Sequence, residues 1–465
     1  MTTGSSAGRK RIDSVDVLVV SWNGRHHLET LLPALEAQQV ADVRVGVCLF
    51  DNGSTDGTVT WVRSNHPRVD VVANPSNIGF SAANNRLADR SSASALVLVN
   101  NDTRPRPDWL AQLVAGLADA PADVAAVSGG IVNWKGDRLD FGRGVMTFDG
   151  HAFQLDYHRP LDAIEMPEEG CELLFPCGGN MIVRRDSYLA AGGFDESYFA
   201  YLEDVDLGWR LWSAGERVLS APGAVVHHRS MATSKLLGNA NRGLLFERNA
   251  YLTAFKNYDA ELWPQVMPVV QTTLLARIQH LLANRNPHGQ ELAVDPYAAP
   301  MDGYGGVLAA GTTGVGGDGG ERGRPAVSSR ARDAWERLRY IVALRTRLRR
   351  FARPHSGLPD GVPAIVDDQT LAQVRAVSSI IRGLDDAAER RRRIQARRRR
   401  PDGEIFERFP LYVVPTYPGD EELFGSSGFE AMLPEGLALV RRTLEEVMEG
   451  VERGDSDLQP PAGAP

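Results

Sequence analysis

Three groups of residues in this chain carry side chains suited to moving a chemical group between oxygen atoms. Asp102 follows the apolar run Ala95-Leu96-Val97-Leu98-Val99. A carboxylate at the end of such a strand is a hard oxygen ligand for Mg2+ or Mn2+, and a turn opening before Pro105 accounts for the same residues. The second group, Glu203-Asp204-Val205-Asp206, places three carboxylates at a helix start, where the helix macrodipole favours anions. Its flanks, Tyr198-Phe199-Ala200-Tyr201 and Trp209-Arg210-Leu211-Trp212, are largely aromatic or apolar and would wall a pocket suited to a general base. Asp204 is the candidate base, with Glu203 and Asp206 in support. The third group is His227-His228, after Ala224-Val225-Val226; a histidine at a strand end is either a satisfied partner or, in the company of Asp102, a metal ligand.

The elements that must position these groups follow from hydrophobic periodicity. Short β-branched runs alternate with helical stretches from Asp16 to about Val132, the pattern of an α/β domain with a mainly parallel sheet. The expected strands are Val15–Val20, Arg44–Phe50, Val69–Ala73, Ala95–Val99 and Val124–Val127. Leu28, Leu31, Leu32 and Leu35 give one apolar helix face between the first two. Such sheets bind ligands beyond the carboxyl ends of their strands. The segments found there, Ser21–Gly24, Asp51–Gly57, Asn74–Phe80 and Asn100–Thr103, are polar and rich in Asn and Asp, so their convergence would form one polar cleft.

The ordered series Asp51-Asn52-Gly53-Ser54-Thr55-Asp56-Gly57, Asn77-Ile78-Gly79-Phe80 with Asn84, Asn100-Asn101-Asp102-Thr103, Gly192-Gly193-Phe194-Asp195-Glu196 and Glu203-Asp204-Val205-Asp206 resembles glycosyltransferase family 2. The resemblance spans roughly Val15 to Ser230. It implies a GT-A fold, a nucleotide-sugar donor, a divalent metal (Mg2+ or Mn2+) and inversion at the anomeric carbon. By position it implies that Asp51 contacts the base or ribose, with Ser21, Asn23, Asn84 and Asn101 lining the same nucleoside site. Asp102 takes the metal role of the family's Asp-x-Asp motif; Asn100 stands at its first acidic position, which leaves one carboxylate for the cation. Asp204 matches the base. His228, after Pro222-Gly223-Ala224, matches a histidine metal ligand in the branch resembling rhamnosyl- and galactofuranosyltransferases, with His227 its rival. Gly178-Gly179-Asn180 falls where such enzymes place a loop beside donor sugar and acceptor, or is a tight turn.

The expected product of these parts is a GT-A (Rossmann-like) catalytic domain over residues 14–243, followed by a mainly α-helical C-terminal region. Its activity would be inverting sugar transfer from a nucleotide-diphosphate-sugar to an acceptor hydroxyl, in cell-envelope or other glycoconjugate synthesis. The implied acceptor is a glycan or a lipid-linked molecule. Residues 1–13 read as disordered, 244–300 as a helical extension, 301–328 as a Gly-rich linker, 329–453 as an Arg-rich helical region and 454–465 as a disordered tail.

With 43% hydrophobic and 24% charged residues the composition is that of a globular protein, and a net charge of -8 in blocks of both signs points to no nucleic-acid partner. Three cysteines are too few for a disulfide framework or a four-cysteine zinc site. A polar start and the lack of any run near the roughly 18 apolar residues of a membrane span lead to the expectation of a cytoplasmic protein. Eight arginines between Arg390 and Arg400 read either as a solvated helix face or as a contact with anionic membrane. A nucleotidyltransferase would need a glycine-rich basic loop in place of Ser21-Trp22-Asn23-Gly24, and a dehydrogenase a G-x-G-x-x-G turn. A non-catalytic scaffold is favoured by Asn100 and opposed by the retention of Asp102, Asp204 and His228 together.

Overall fold

The computed structural model describes residues 11–229, 239–285 and 367–449. Of these, residues up to Leu281 and from Asp367 onward make one compact unit, and residues 282–285 belong to a second. The Gly-rich stretch 301–328, residues 329–366 of the Arg-rich region and the tail from 454 lie outside the described residues. Ile12 and Asp13, expected to be disordered, are packed: Ile12 is buried and the Asp13 N–H donates to Ser94 Oγ (3.1 Å).

The first half alternates strand and helix: β1 (Ser14–Ser21), α1 (Arg25–Glu36), β2 (Arg44–Asn52), α2 (Thr58–Asn65), β3 (Asp70–Asn74), α3 (Phe80–Arg90), β4 (Ala95–Val99), β5 (Thr103–Pro105), α4 (Trp109–Asp119) and β6 (Val124–Asn133). The short strands β7 (Leu139–Phe141), β8 (Gly144–Met146) and β9 (Ala152–Gln154) follow. Then come β10 (Asn180–Arg184), α5 (Arg185–Ala191), α6 (Glu203–Ser213) and β11 (Arg217–His228). One nine-stranded sheet runs β3-β2-β1-β4-β10-β6-β11-β5, with β7 added to β6. β1 is parallel to β2 and β4, β2 to β3, and β6 to β11, whereas β10 is antiparallel to both β4 and β6. Every residue of β4 is buried, as a strand covered on both faces requires. The expected α/β fold is present with a mixed sheet, in which β10, β5 and β7 run against the other strands; each expected strand appears, and β6 continues past its expected end at Val127 to Asn133.

Helices complete the unit: α7 (Asn239–Asn257), α8 (Trp263–Arg285), α9 (Asp368–Arg397), α10 (Asp402–Arg408), α11 (Asp420–Phe424), α12 (Ser427–Met432) and α13 (Leu444–Glu449), with β12 (Leu411–Val413) paired in parallel to β13 (Leu439–Arg441). α7 packs on α6, and α9 lies along α7, so the helix carrying most of the Arg390–Arg400 run is docked on the sheet domain. Trp209 and Trp212 are fully buried core of α6, their indole N–H groups donating to Asp402 Oδ1 and the Leu173 carbonyl (both 2.9 Å). Among the described residues no helix is long and apolar enough to cross a membrane.

Candidate active site

The four polar segments beyond the strand ends are stitched to one another. The Asn23 N–H donates to Ser54 Oγ (2.8 Å), Asn23 Oδ1 accepts from the Thr55 N–H (2.7 Å), Asn52 Nδ2 donates to Asn77 Oδ1 (2.9 Å), and Asn101 Nδ2 donates to Ser21 Oγ (3.1 Å). Gly24 permits the last contact, because a Cβ there would stand 2.4 Å from Asn101 Nδ2. Ser21, Asn23 and Asn101 therefore hold the cleft together with the side-chain atoms expected to face a nucleoside. Asp51 is different. Buried at 2% exposure, it accepts from the Ser54 N–H (3.1 Å) through Oδ2, while Oδ1 has no partner. A buried acceptor without a donor is costly unless a ligand supplies one. Asn84, on α3, spends its amide on the Phe80 carbonyl one turn back (3.0 Å).

His228 reaches Asp102 through strand register. β5 pairs with the end of β11, setting His228 opposite Thr103, and the Arg229 N–H donates to the Asp102 carbonyl (3.0 Å). An irregularity between Ala221 and Val226 lets β11 resume its pairing with β6 before that point. His228 Nε2 lies 3.3 Å from Asp102 Oδ1, and its Nδ1 lies 3.0 Å from Asp140 Oδ2. Successive side chains in a strand point to opposite faces, so His227 turns instead to the Trp134 carbonyl (3.4 Å) and Arg104. Of the two rivals, His228 is the one facing Asp102. Burial alone would lower the His228 pKa, but the two carboxylates outweigh it and push it up to about 9.

Asp140 is the residue that sequence reasoning missed. It sits on β7 where the pairing with β6 shifts register, 3% exposed, between Leu139 and Phe141. In sequence it is one acid between two apolar residues, with no motif around it. Among the described residues no group of three or more His, Cys, Asp or Glu is gathered to hold a metal alone. Asp102 and His228 Nε2 offer one oxygen and one nitrogen donor. That pair would suit a hard divalent cation, with room for ligands from outside the protein.

Asp204 is placed by a backbone under strain. Phe199, Tyr201 and Leu202 all have positive φ (66°, 72° and 64°) immediately before α6. Left-handed backbone at such residues costs on the order of 1–3 kcal/mol each and needs surroundings that enforce it. From one side the Phe199 carbonyl accepts the Phe80 and Ser81 N–H groups at the start of α3 (2.6 and 3.2 Å). From the other, Asn249 of α7 donates to the Tyr198, Ala200 and Tyr201 carbonyls (3.1, 2.9 and 2.8 Å). Held this way, Asp204 Oδ2 accepts the Gly178 N–H (2.8 Å). The neighbouring Gly179 carbonyl accepts the Asn100 N–H (3.3 Å), and a Cβ on Gly179 would stand 2.8 Å from Asn100 Nδ2. A continuous bonded path therefore joins Asp204, the Gly178-Gly179 lip and the strand end carrying Asp102.

Two of the expected site residues point elsewhere. Asn180 is fully buried, accepting from the Trp109 indole (2.7 Å) and donating to the Gly130 and Ala224 carbonyls (both 2.9 Å). Its side chain braces strands, and only Gly178 and Gly179 of that trio face the cleft. Asp206 is likewise fully buried, paired with Arg210 (2.8 Å) and Lys256 (3.1 Å) and bonded to Asn257 Nδ2 (2.8 Å); those cations outweigh burial and lower its pKa. It supports α6 from behind. Burial raises the Asp204 pKa, partly offset by the Gly178 and Val205 N–H groups. Burial, reinforced by the charge of Asp204, pushes Glu203 up to about 8. At neutral pH Glu203 therefore keeps its proton.

The Glycosyl transferase family 2 model matches residues 16–190. Residues 16–190 thus carry a domain similar to this family. Over 248 residues it is 28% identical to an N-acetylglucosaminyl-diphospho-decaprenol L-rhamnosyltransferase of Mycobacterium tuberculosis, covering 48% of this chain and 78% of the relative. The O-antigen biosynthesis protein RfbC of Myxococcus xanthus is 28% identical over 57% of this chain and 21% of its own length. The succinoglycan biosynthesis protein ExoA of Rhizobium meliloti is 26% identical over 43% of this chain and 59% of its own length. Among solved structures, a mannosyltransferase of Pyrobaculum calidifontis in complex with GDP-Man and Mn2+ overlaps 82% of this chain and 88% of its own, at 17% identity and a TM-score of 0.40. This glycosyltransferase is thus an enzyme of sugar transfer whose relatives serve glycan synthesis.

Proposed function

We propose that the enzyme transfers a sugar, with inversion, from a nucleotide-diphosphate-sugar to an acceptor hydroxyl. In this reading Asp204 is the base, Asp102 and His228 hold a divalent cation, and Asp51 receives the nucleoside. The observation that carries it is the Gly178 N–H to Asp204 Oδ2 bond of 2.8 Å, on a lip bonded to the strand end that bears Asp102. A divalent cation bound there would neutralise charge on the departing diphosphate.

The protein's own groups do the rest. The unpartnered Asp51 Oδ1 accepts a donor from ribose or base. Asp140 fixes the His228 ring so that Nε2 is the atom turned to Asp102. Asp204, raised in basicity by burial, takes the proton from the acceptor hydroxyl as that oxygen attacks the anomeric carbon. Glu203, protonated beside it, adds no second negative charge.

A lipid-linked acceptor and a deoxyhexose donor are the substrates we favour, because the mycobacterial relative is named for rhamnosyl transfer to a diphospho-decaprenol. The proposed place of work is the cytoplasmic face of the membrane carrying that lipid. Asp204→Asn is expected to abolish transfer while calorimetric donor binding survives; turnover near the wild-type rate would rule out the base. Thermal-shift screening against UDP-, GDP- and dTDP-sugars with Mn2+ identifies the donor, since ligand binding raises apparent stability by mass action.

A further inference from the structure

The arginine run divides between two faces of α9. Arg391, Gln395 and Arg398, at helical spacing, turn to the end of α7. Arg391 donates to the Phe255 and Tyr258 carbonyls, Gln395 to those of Lys256, Asn257 and Tyr258, and Arg398 to that of Asn257 and to Asp402 Oδ1. Arg400 does the same for the end of α6, donating to the Trp212, Gly215 and Glu216 carbonyls (3.0, 3.2 and 3.2 Å). These side chains satisfy the orphan carbonyls of helix ends.

Arg390, Arg393 and Arg397 lie on a second face and line a cavity of about 960 Å³ between α9, the end of α5 and α6. That volume is within the roughly 300–1,000 Å³ of small-ligand sites. None of Ser21, Asp51, Asp102, Asp204 or His228 lines it. Its floor is neutralised: Lys256 pairs with Asp195, and Arg210 with Asp206. Its rim is not. Arg393 contacts only Glu389, which also pairs with Arg392, and Arg397 and Arg399 make no ion pair among the described residues. Ala190, Ala191 and Ile394 give the wall an apolar portion.

We propose that this cavity binds a phosphate-bearing anion, held by Arg393, Arg397 and Arg399, at a site separate from the donor cleft. A concave wall focuses the field of its charges, and the guanidinium fork matches phosphate oxygens in pairs. The apolar wall leaves room for the group that carries the phosphate. The proposal does not depend on the catalytic roles given to Asp204, Asp102 or His228.

The test compares wild type with the triple variant R393Q/R397Q/R399Q in two arms. One is calorimetry with pyrophosphate in EDTA, repeated in Asp102→Ala so that the donor cleft does not contribute. The other is co-sedimentation with phosphatidylglycerol or phosphatidylcholine vesicles. Arg393 is 73% exposed and the three lie at the surface, so circular dichroism should be unchanged. Arg392→Gln, 70% exposed and outside the cavity lining, is the control that keeps binding. A loss of tenfold or more in pyrophosphate affinity in the triple variant identifies a soluble phosphate. A loss confined to the phosphatidylglycerol vesicles identifies a lipid headgroup. Equal behaviour of wild type and triple variant in both arms, or an equal loss in Arg392→Gln, overturns the site.

Discussion

In the proposed mechanism Glu203 and Asp204 differ through environment, since the two carboxyls are neighbours in the chain. Glu203 is buried with no donor on Oε2 and holds its proton up to about pH 8, whereas Asp204 receives two backbone N–H groups. The native state therefore keeps a proton that the unfolded chain releases near the ordinary carboxylate value. Stability should fall as pH rises from about 4.5 to 8 through this group. Glu203→Gln should flatten that decline, read as urea midpoints at pH 5 and pH 8.5; an unchanged slope would remove the raised pKa. Asp140→Asn should leave the fold intact and weaken Mn2+-dependent nucleotide binding by about 10–100-fold, as loss of an outer partner of a histidine ligand does. Calorimetry with and without Mn2+ checks it, and equal affinities in mutant and wild type would deny Asp140 a positioning role.

At the scale of elements, the strained turn before α6 depends on a helix distant in sequence. The amide of Asn249 on α7, fully buried, donates toward the Tyr198, Ala200 and Tyr201 carbonyls, the first of which also receives Arg248 and the Ala200 N–H. Asn249→Ala should destabilise the enzyme by roughly 2–4 kcal/mol, because the Ala200 and Tyr201 carbonyls lose this donor and an unmet buried carbonyl costs on the order of 1–3 kcal/mol. The turn that aims Asp204 would relax with it, so kcat should fall more than KM rises. A loss of stability with kcat unchanged would show that the turn does not need α7 to hold its shape. The arginine run belongs to the same scale. Its composition suggested one solvated or membrane-facing surface, but helical phase sends Arg391 and Arg398 inward to cap α7 and leaves Arg393 and Arg397 outward.

Across the whole molecule, a buried charge network fastens the C-terminal helices to the region after the main sheet. Arg277 on α8 pairs with Asp149 (2.9 Å), Glu247 (3.3 Å) and Asp420 (2.9 Å), and His151 lies 3.2 Å from Asp149 and 3.5 Å from Glu247. Burial alone would lower the His151 pKa, but the charges of Asp149 and Glu247 push it up to about 9. Removing the central cation leaves, among the described residues, Asp420 without one and Asp149 and Glu247 with His151 alone, and loss of one partner from a buried pair costs about 3–5 kcal/mol. Arg277→Met should therefore lower the urea midpoint sharply and loosen residues 411–449 to proteolysis. A midpoint within error of wild type would mean that the apolar contacts of these helices suffice.

The alternation of strands and helices, the polar segments after β1 to β4 and the acids opening α6 were legible in sequence because each rests on local periodicity or on a short contiguous motif. Which histidine faces Asp102, by contrast, is decided by the pairing of β5 with β11, residues more than a hundred positions apart. The inward turn of Asn180, the recruitment of Asp140 and the two faces of the arginine run are likewise products of packing between distant segments. Local sequence sets backbone preference and residue type; the direction in which a side chain points, and what it meets there, depends on register and burial that only the assembled sheet and its covering helices impose.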